Sequence, residues 1–362
     1  MRKLLSMILV LVMVLSLAAC SSDEAADDTT TNDDTSTNQE ASGSDETEQD
    51  SSEMKEITIG ANIYNFADNF MNGVVSPALK EHAGAAGITI NIVDSENQQN
   101  KLNDQVDIFI GQGVDILAIN LVDPASAGTI IQKAKDADIP LILFNKEATE
   151  EGIMDTYDKV WYVGTASKDA GIIQGEMMVS DWQANPEWDK NGDGTVQYVL
   201  LKGEPGHPDA EARTEYSVKA FDEAGIAVEE LAMQPDPKWS TDGGYDKMTT
   251  WLASYGDSIE LVICNNDGMA FGAINAMKEQ GVEIPVYGVD ALAQALNHVA
   301  DDEMNGTVLN DGNNQAKAVI DLAANIANGK DPIADTEWTL DEVKAVRVPY
   351  VAVTKDNYQD FQ

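Results

Sequence analysis

L-L-K-G-E-P-G-H-P-D-A-E-A-R, residues 200–213, reads as a strand that runs into a helix through a glycine-proline loop. The apolar run Val196–Leu201 stops at Gly203 and Pro205, and Pro208 stands where a helix can begin. Asp209 and Glu211 then fall in the first turn, where free backbone amides favour negative charge and proline costs no hydrogen bond. Asp209 and Arg213 are spaced i, i+4 and share one helix face, just beyond the strand end, with His207 at the entry. Read alone, this is a helix start with an ion pair on its surface. Other strand ends in the chain carry similar side chains, and the set changes the reading.

Outward from this stretch, strands and helices alternate. On the N-terminal side, apolar runs at 57–64, 88–93, 116–120, 139–145 and 160–165 are separated by helical patterns at 68–84, 97–113 and 124–138. On the C-terminal side, a helix over 168–184 leads to strands at 196–201, 226–233, 261–264, 285–289 and 306–309, with helices at 208–225, 244–255, 267–281, 292–301 and 313–329. Short, nearly continuous apolar strands alternating with helices specify buried parallel sheets. The predicted fold class is α/β, with two doubly wound parallel-sheet lobes.

In such sheets ligands sit beyond the carboxyl ends of the strands. The residues there are Asp68 and Phe70 after the first strand, Asn145 after the fourth, His207, Asp209 and Arg213 after 196–201, Asn266 after 261–264, Asp290 after 285–289, and Asn310 after 306–309. Carboxylates and amides satisfy hydroxyl groups, an arginine adds a forked donor, and the rings of Phe70 and Trp239 offer flat apolar faces. That set suits a polyhydroxylated ring. Taken one at a time, Asn and Asp at strand ends are also ordinary turn formers and helix caps.

A second motif, D-K-N-G-D-G-T-V-Q, begins at Asp189. Counting from it, Asp189, Asn191 and Asp193 occupy positions one, three and five of a calcium loop, Gly194 the turn, Thr195 the carbonyl position and Gln197 position nine. The bidentate acid expected at position twelve is replaced by Leu200. A carboxylate from elsewhere must therefore complete a Ca2+ site, and Glu260, just before a strand, is the candidate. The other reading is a polar turn.

Arg2 and Lys3 precede a short apolar run, Leu4–Leu17, then Ala18, Ala19 and Cys20. Residues 1–19 read as a secretory signal, and the small residues before Cys20 resemble a lipoprotein cleavage site, which implies a lipid on Cys20 and a chain held at the outer face of the cell membrane. Residues 20–53 are Ser, Thr, Asp, Glu, Asn and Gln with almost nothing apolar, a composition that makes a disordered, self-repelling linker. The whole chain carries a formal charge of −41; residues 1–53 hold 12 acids and 2 bases, which leaves −31 on the remainder. That excess excludes nucleic acid as a partner, since phosphate contacts need Lys and Arg in surplus. Cys264, the second of 2 cysteines, reads as a buried free thiol.

These features together resemble the galactose/glucose-binding family of bacterial sugar importers. The matching segments are D-N-F-M at 68–71, A-I-N-L-V-D-P at 118–124, F-N-K-E at 144–147, the stretch at 200–213, N-N-D at 265–267, G-V-D-A-L at 288–292 and T-V-L-N-D at 307–311. The resemblance implies a pyranose, D-glucose or D-galactose, between Phe70 and Trp239, hydrogen-bonded by Asp68, Asn145, His207, Asp209, Arg213, Asn266, Asp290 and Asn310. The segment around Trp239 matches only loosely. It also implies a calcium loop closed by Glu260, and a monomer that delivers sugar to the membrane subunits of an ABC permease. The implied lobes are 54–164 with 311–346 and 165–310 with 347–362, joined by three crossings near Thr165, Asn310 and Arg347. Two alternatives stay open: a sugar-sensing module for a chemoreceptor or sensor kinase, and a carbohydrate-acting enzyme using Asp209, Asp290 or His207. The chain has no H-E-x-x-H, G-x-S-x-G or Walker motif, so a non-enzyme is expected.

Overall fold

The computed structural model describes residues 56–362; the signal, Cys20 and the linker to residue 53 lie outside them. One six-stranded sheet contains β1 (Thr58–Ile63), β2 (Thr89–Asp94), β3 (Ile116–Ile119), β4 (Leu141–Phe144), β5 (Val160–Gly164) and β11 (Ala345–Arg347), in the order β11-β5-β4-β3-β1-β2. All its pairings are parallel. The other contains β6 (Thr195–Lys202), β7 (Ala227–Pro235), β8 (Leu261–Cys264), β9 (Val286–Tyr287), β10 (Gly306–Leu309) and β12 (Val351–Thr354), in the order β12-β10-β9-β8-β6-β7. Here β12 runs antiparallel to β10, a departure from the all-parallel expectation confined to one edge.

Burial follows strand position. The inner strands β3, β4 and β8 are buried at every residue, whereas the edges β2 and β7 show exposed and partly buried residues. In β6 the side chains alternate, Val199 and Leu201 facing one core and Val196, Tyr198 and Leu200 the other. That is the period of two of a sheet covered on both faces. Helices α1 (Ser76–Ala85) and α9 (Gly312–Ala327) pack together, as do α2 (Gln99–Gln112) and α3 (Ala127–Asp136). In the second lobe α4 (Ser167–Ala184) pairs with α5 (Pro208–Glu223), and α6 (Thr241–Tyr255) with α7 (Asp267–Gln280). Helix α8 (Ala293–Ala300) completes the set. Cys264 is buried and free, and burial pushes its thiol well above the ordinary value, which leaves it inert.

The first helix differs from expectation. The pattern at 68–84 predicts one α-helix, but Met71–Val75 is a π-helical turn and α1 begins only at Ser76. Pro77, near the start of α1, has no amide to continue an α-helical ladder back from it, and the wider turn, with the Ser76 amide on the Met71 carbonyl, absorbs the mismatch. The strand expected at 285–289 is shortened to Val286–Tyr287, with Asp290 retained by a single bridge to Leu309.

The chain passes between the sheets three times: after β5, between β10 and α9, and between β11 and β12. The first and third passages are bonded to each other. Thr165 Oγ1 donates to the Tyr350 hydroxyl at 2.9 Å, and Arg347 donates to the Thr165 carbonyl at 2.9 Å while pairing with Glu147.

Candidate functional site

In each sheet the strand order reverses direction beside the first strand, between β1 and β3 and between β6 and β8. Such reversals open a crevice at the carboxyl ends, and the strand-end residues of both lobes meet there. Asp68, Phe70, Asn145, His207, Asp209, Arg213, Trp239, Asn266, Asp290 and Asn310 line one small cavity. All ten ligand residues named from the sequence are therefore brought together, three from the first lobe and seven from the second lobe and its return crossing.

On the first-lobe side Asp68 Oδ1 accepts the amides of Phe70 and Met71 at 2.8 and 3.1 Å, and Oδ2 accepts the Tyr64 hydroxyl at 2.6 Å. Burial raises the Asp68 carboxyl above the ordinary value, opposed by those donors and by Lys146. The Phe70 ring lies against Gly312, where a Cβ would come within 3.0 Å of it. Asn145 sits in the left-handed region, at φ 61°. Its carbonyl accepts from Tyr162 at 2.6 Å and its Oδ1 from Asn120 at 3.2 Å, so the side-chain NH2 is the group it offers.

On the other side the loop after β6 does what its sequence implies. His207 is the N-cap of α5, its Nδ1 accepting the Asp209 amide at 3.1 Å. The neutral ring therefore carries its proton on Nε2. Burial, with the charges of Lys146 and Arg213, pushes His207 well below its ordinary pKa. Arg213 donates to the Asn265 carbonyl at 2.9 Å and the Tyr350 hydroxyl at 3.1 Å, and lies 3.4 Å from Asp209. Burial works against the guanidinium charge, but Tyr350, Asp209 and Asp290 outweigh it and hold the pKa above the usual range.

Trp239 packs on Gly203, where a Cβ would fall 2.1 Å from the indole, and meets His207 edge-on at 5.3 Å between centroids. It adopts a left-handed φ of 55°, held by Asn266, which caps α7 through Oδ1 and donates Nδ2 to the Trp239 carbonyl at 3.1 Å. Asn310 donates to Asp290 at 3.2 Å and accepts from Gln315 at 2.6 Å. Burial drives the Asp290 carboxyl well up, assisted by Asp267 and Asp68 and resisted by Arg213 and Asn310. Two lining donors, Arg213 Nε and Trp239 Nε1, are buried with no acceptor among the described residues.

Tyr64, Lys146, Asn265 and Tyr350 support the site and were not singled out from the sequence. Lys146, the cation of F-N-K-E, is fully buried.

The calcium-like residues lie apart, at the entry to β6. Asp189 takes the amides of Gly192, Asp193 and Gly194, and Asp193 takes that of Thr195. Glu260, 1% exposed, accepts the Lys190 amide at 2.7 Å and the Gln197 amide at 3.1 Å. Among the described residues no three His, Cys, Asp or Glu side chains gather tightly enough to hold a metal by themselves. The donor chemistry nonetheless fits a hard cation: the side-chain oxygens of Asp189, Asn191, Asp193, Gln197 and Glu260 and the Thr195 carbonyl are the oxygen ligands calcium takes. Asn191 and Gln197 both direct amide NH2 groups to Asp193 Oδ2, at 2.9 and 3.0 Å, so each would turn its oxygen inward around an ion.

The periplasmic binding protein domain family matches residues 59–331. The D-galactose/methyl-galactoside binding periplasmic protein of Haemophilus influenzae is 47% identical over 304 residues, covering 84% of this chain and 91% of that protein. A putative rhizopine-binding protein of Rhizobium meliloti is 30% identical, over 84% of this chain and 92% of its own. An ABC transporter solute binding protein of Bacillus halodurans, solved with bound myo-inositol, superposes with a TM-score of 0.70 at 28% identity, over 84% and 97% of the two chains.

Proposed function

The chain belongs to the periplasmic binding protein domain family, and from that premise we propose that it binds one hexose, D-galactose or D-glucose, between its lobes and delivers it to an ABC importer. The observation that carries this is a cavity to which both lobes contribute, lined by carboxylates, amides, a guanidinium and two aromatic rings. A pyranose supplies hydroxyl acceptors for the unpaired Arg213 and Trp239 donors, each of which otherwise costs about 1–3 kcal/mol. Its hydroxyl protons find Asp68, Asp209 and Asp290, and its C–H faces the rings of Phe70 and Trp239. We read this set as a holder of sugar: His207 is neutral and already spends Nδ1 on a backbone amide.

Closing of the lobes removes water and strengthens each of these bonds. The same closure would present a loaded surface to the permease, or to a chemoreceptor or sensor kinase. We assign the calcium-like loop a structural Ca2+, held by Asp189, Asn191, Asp193, Gln197, Glu260 and the Thr195 carbonyl, with the protein acting as a monomer tethered through a lipid on Cys20. Calorimetric titration with D-galactose, D-glucose, D-ribose and D-xylose tests the central reading. Tight one-to-one binding of a hexose with weak pentose binding is expected; no heat with any of the four would overturn the hexose assignment.

A further inference from the structure

Lys146 follows β4 in the first lobe, and Glu204 follows β6 in the second. The Lys146 ammonium donates to Glu204 Oε2 at 2.5 Å and to the Val122 carbonyl at 3.1 Å, and lies 3.8 Å from the centroid of the Tyr64 ring. Its side chain is 0% exposed. Neither residue lines the ligand cavity, but each neighbours one that does. Tyr64 gives its hydroxyl to Asp68 at 2.6 Å, and the Glu204 carbonyl accepts the His207 amide at 3.1 Å. A continuous path therefore runs from Asp68 through Tyr64, Lys146 and Glu204 to His207, behind the site and across the cleft.

We propose that Lys146 is a positioning residue that yokes the two half-sites, so that Asp68 of one lobe and His207 of the other are set in place together. This rests on the reading that both lobes hold one ligand. Separating the lobes would strip Glu204 from a buried ammonium and leave it a carbonyl and a ring face. An unpaired buried charge is costly, so the pair favours the closed arrangement before any ligand arrives. Lys146 also faces Asp68 electrostatically, together with Tyr64 and Asp290, and it opposes the upward push of burial on that carboxyl.

The test uses Lys146→Met and Glu204→Gln in the full chain, the second being the gentler because Glu204 is 19% exposed. In the ligand-free protein, amide hydrogen exchange should accelerate in both 64–71 and 203–207 for each variant, with the rest of the fold unchanged. Hexose affinity should fall about 10- to 100-fold, the worth of one charge-assisted hydrogen bond. With Lys146→Met alone, the acid limb of the binding profile should move to higher pH, because Asp68 loses its cation and protonates earlier. Exchange unaltered in 203–207 in both variants would overturn the proposal, as would a change confined to the lobe that carries the substitution. If the wild-type protein binds no hexose, the functional reading fails while the exchange measurement still tests the role of Lys146. Should Lys146→Met not fold, exchange in Glu204→Gln decides the question by itself, since that variant breaks the same pair from the other lobe.

Discussion

At the scale of the residue, the cavity is lined by polar groups that the fold itself holds in place by hydrogen bonds. Arg213 is fixed by Asn265 and Tyr350 and offers its remaining donors inward. Asp209→Ala or Arg213→Ala should weaken hexose binding by more than about 2 kcal/mol, since each leaves a buried partner unpaired; calorimetric affinities within twofold of wild type would remove the pair from the site. Asp267, behind the cavity, accepts Thr307 Oγ1 at 2.7 Å and the Leu292 amide at 2.9 Å, yet burial raises its carboxyl from 3.8 to about 6. A raised folded value means that the neutral acid stabilises the fold fully below the ordinary value, and that this contribution is lost as pH rises through about 6. Denaturation midpoints should therefore decline between pH 4 and 7, and Asp267→Asn should flatten that decline; an equal slope in the variant would place the effect on another group. Asn145, Asn266, Asp290 and Asn310 could be placed at the cavity from the sequence because each stands at or next to the end of an apolar run. Lys146 and Tyr350 could not, because their burial depends on partners 58 and 137 residues away, which local pattern does not encode.

At the scale of the element, most strands and helices were legible because buried parallel strands are short apolar runs separated by longer segments that start and stop at proline, glycine and polar residues. The exceptions have local causes. Pro77 stands where the first helix passes from a π-turn into α1, and Asp68 caps the helix start ahead of that turn by accepting the amides of Phe70 and Met71. At the edge of its sheet, β7 carries the exposed charges Glu229 and Glu230. The loop before β6 is tied to β8 by Glu260, which takes amides from both Lys190 and Gln197. Chelation of calcium should lower the melting temperature while the hexose site stays formed, and Glu260→Gln should abolish that chelator sensitivity. A melt indifferent to chelator in the wild-type protein would leave the loop as a hydrogen-bonded turn.

At the scale of the whole molecule, the two sheets meet through bonded crossings rather than loose linkers. Tyr350 joins the crossing to the cavity wall, accepting from Thr165 of one passage and from cavity-lining Arg213. Tyr350→Phe keeps the packing but leaves both donors without that acceptor. Hexose affinity should fall about tenfold, while the thermal midpoint drops only modestly; unchanged affinity would mean that the hinge and Arg213 are not coupled. The order of the strands along the chain has one more effect. The edge strand β11 and helix α9 of the first lobe are made only after β10 of the second, and β12 of the second follows them both. Neither lobe is therefore a continuous segment, and during synthesis the first cannot be completed until nearly all of the second has emerged. Nascent chains cut short near residue 340 would lack an edge strand from each sheet at once, so the last few dozen residues act as a common clasp on which both halves wait to finish folding.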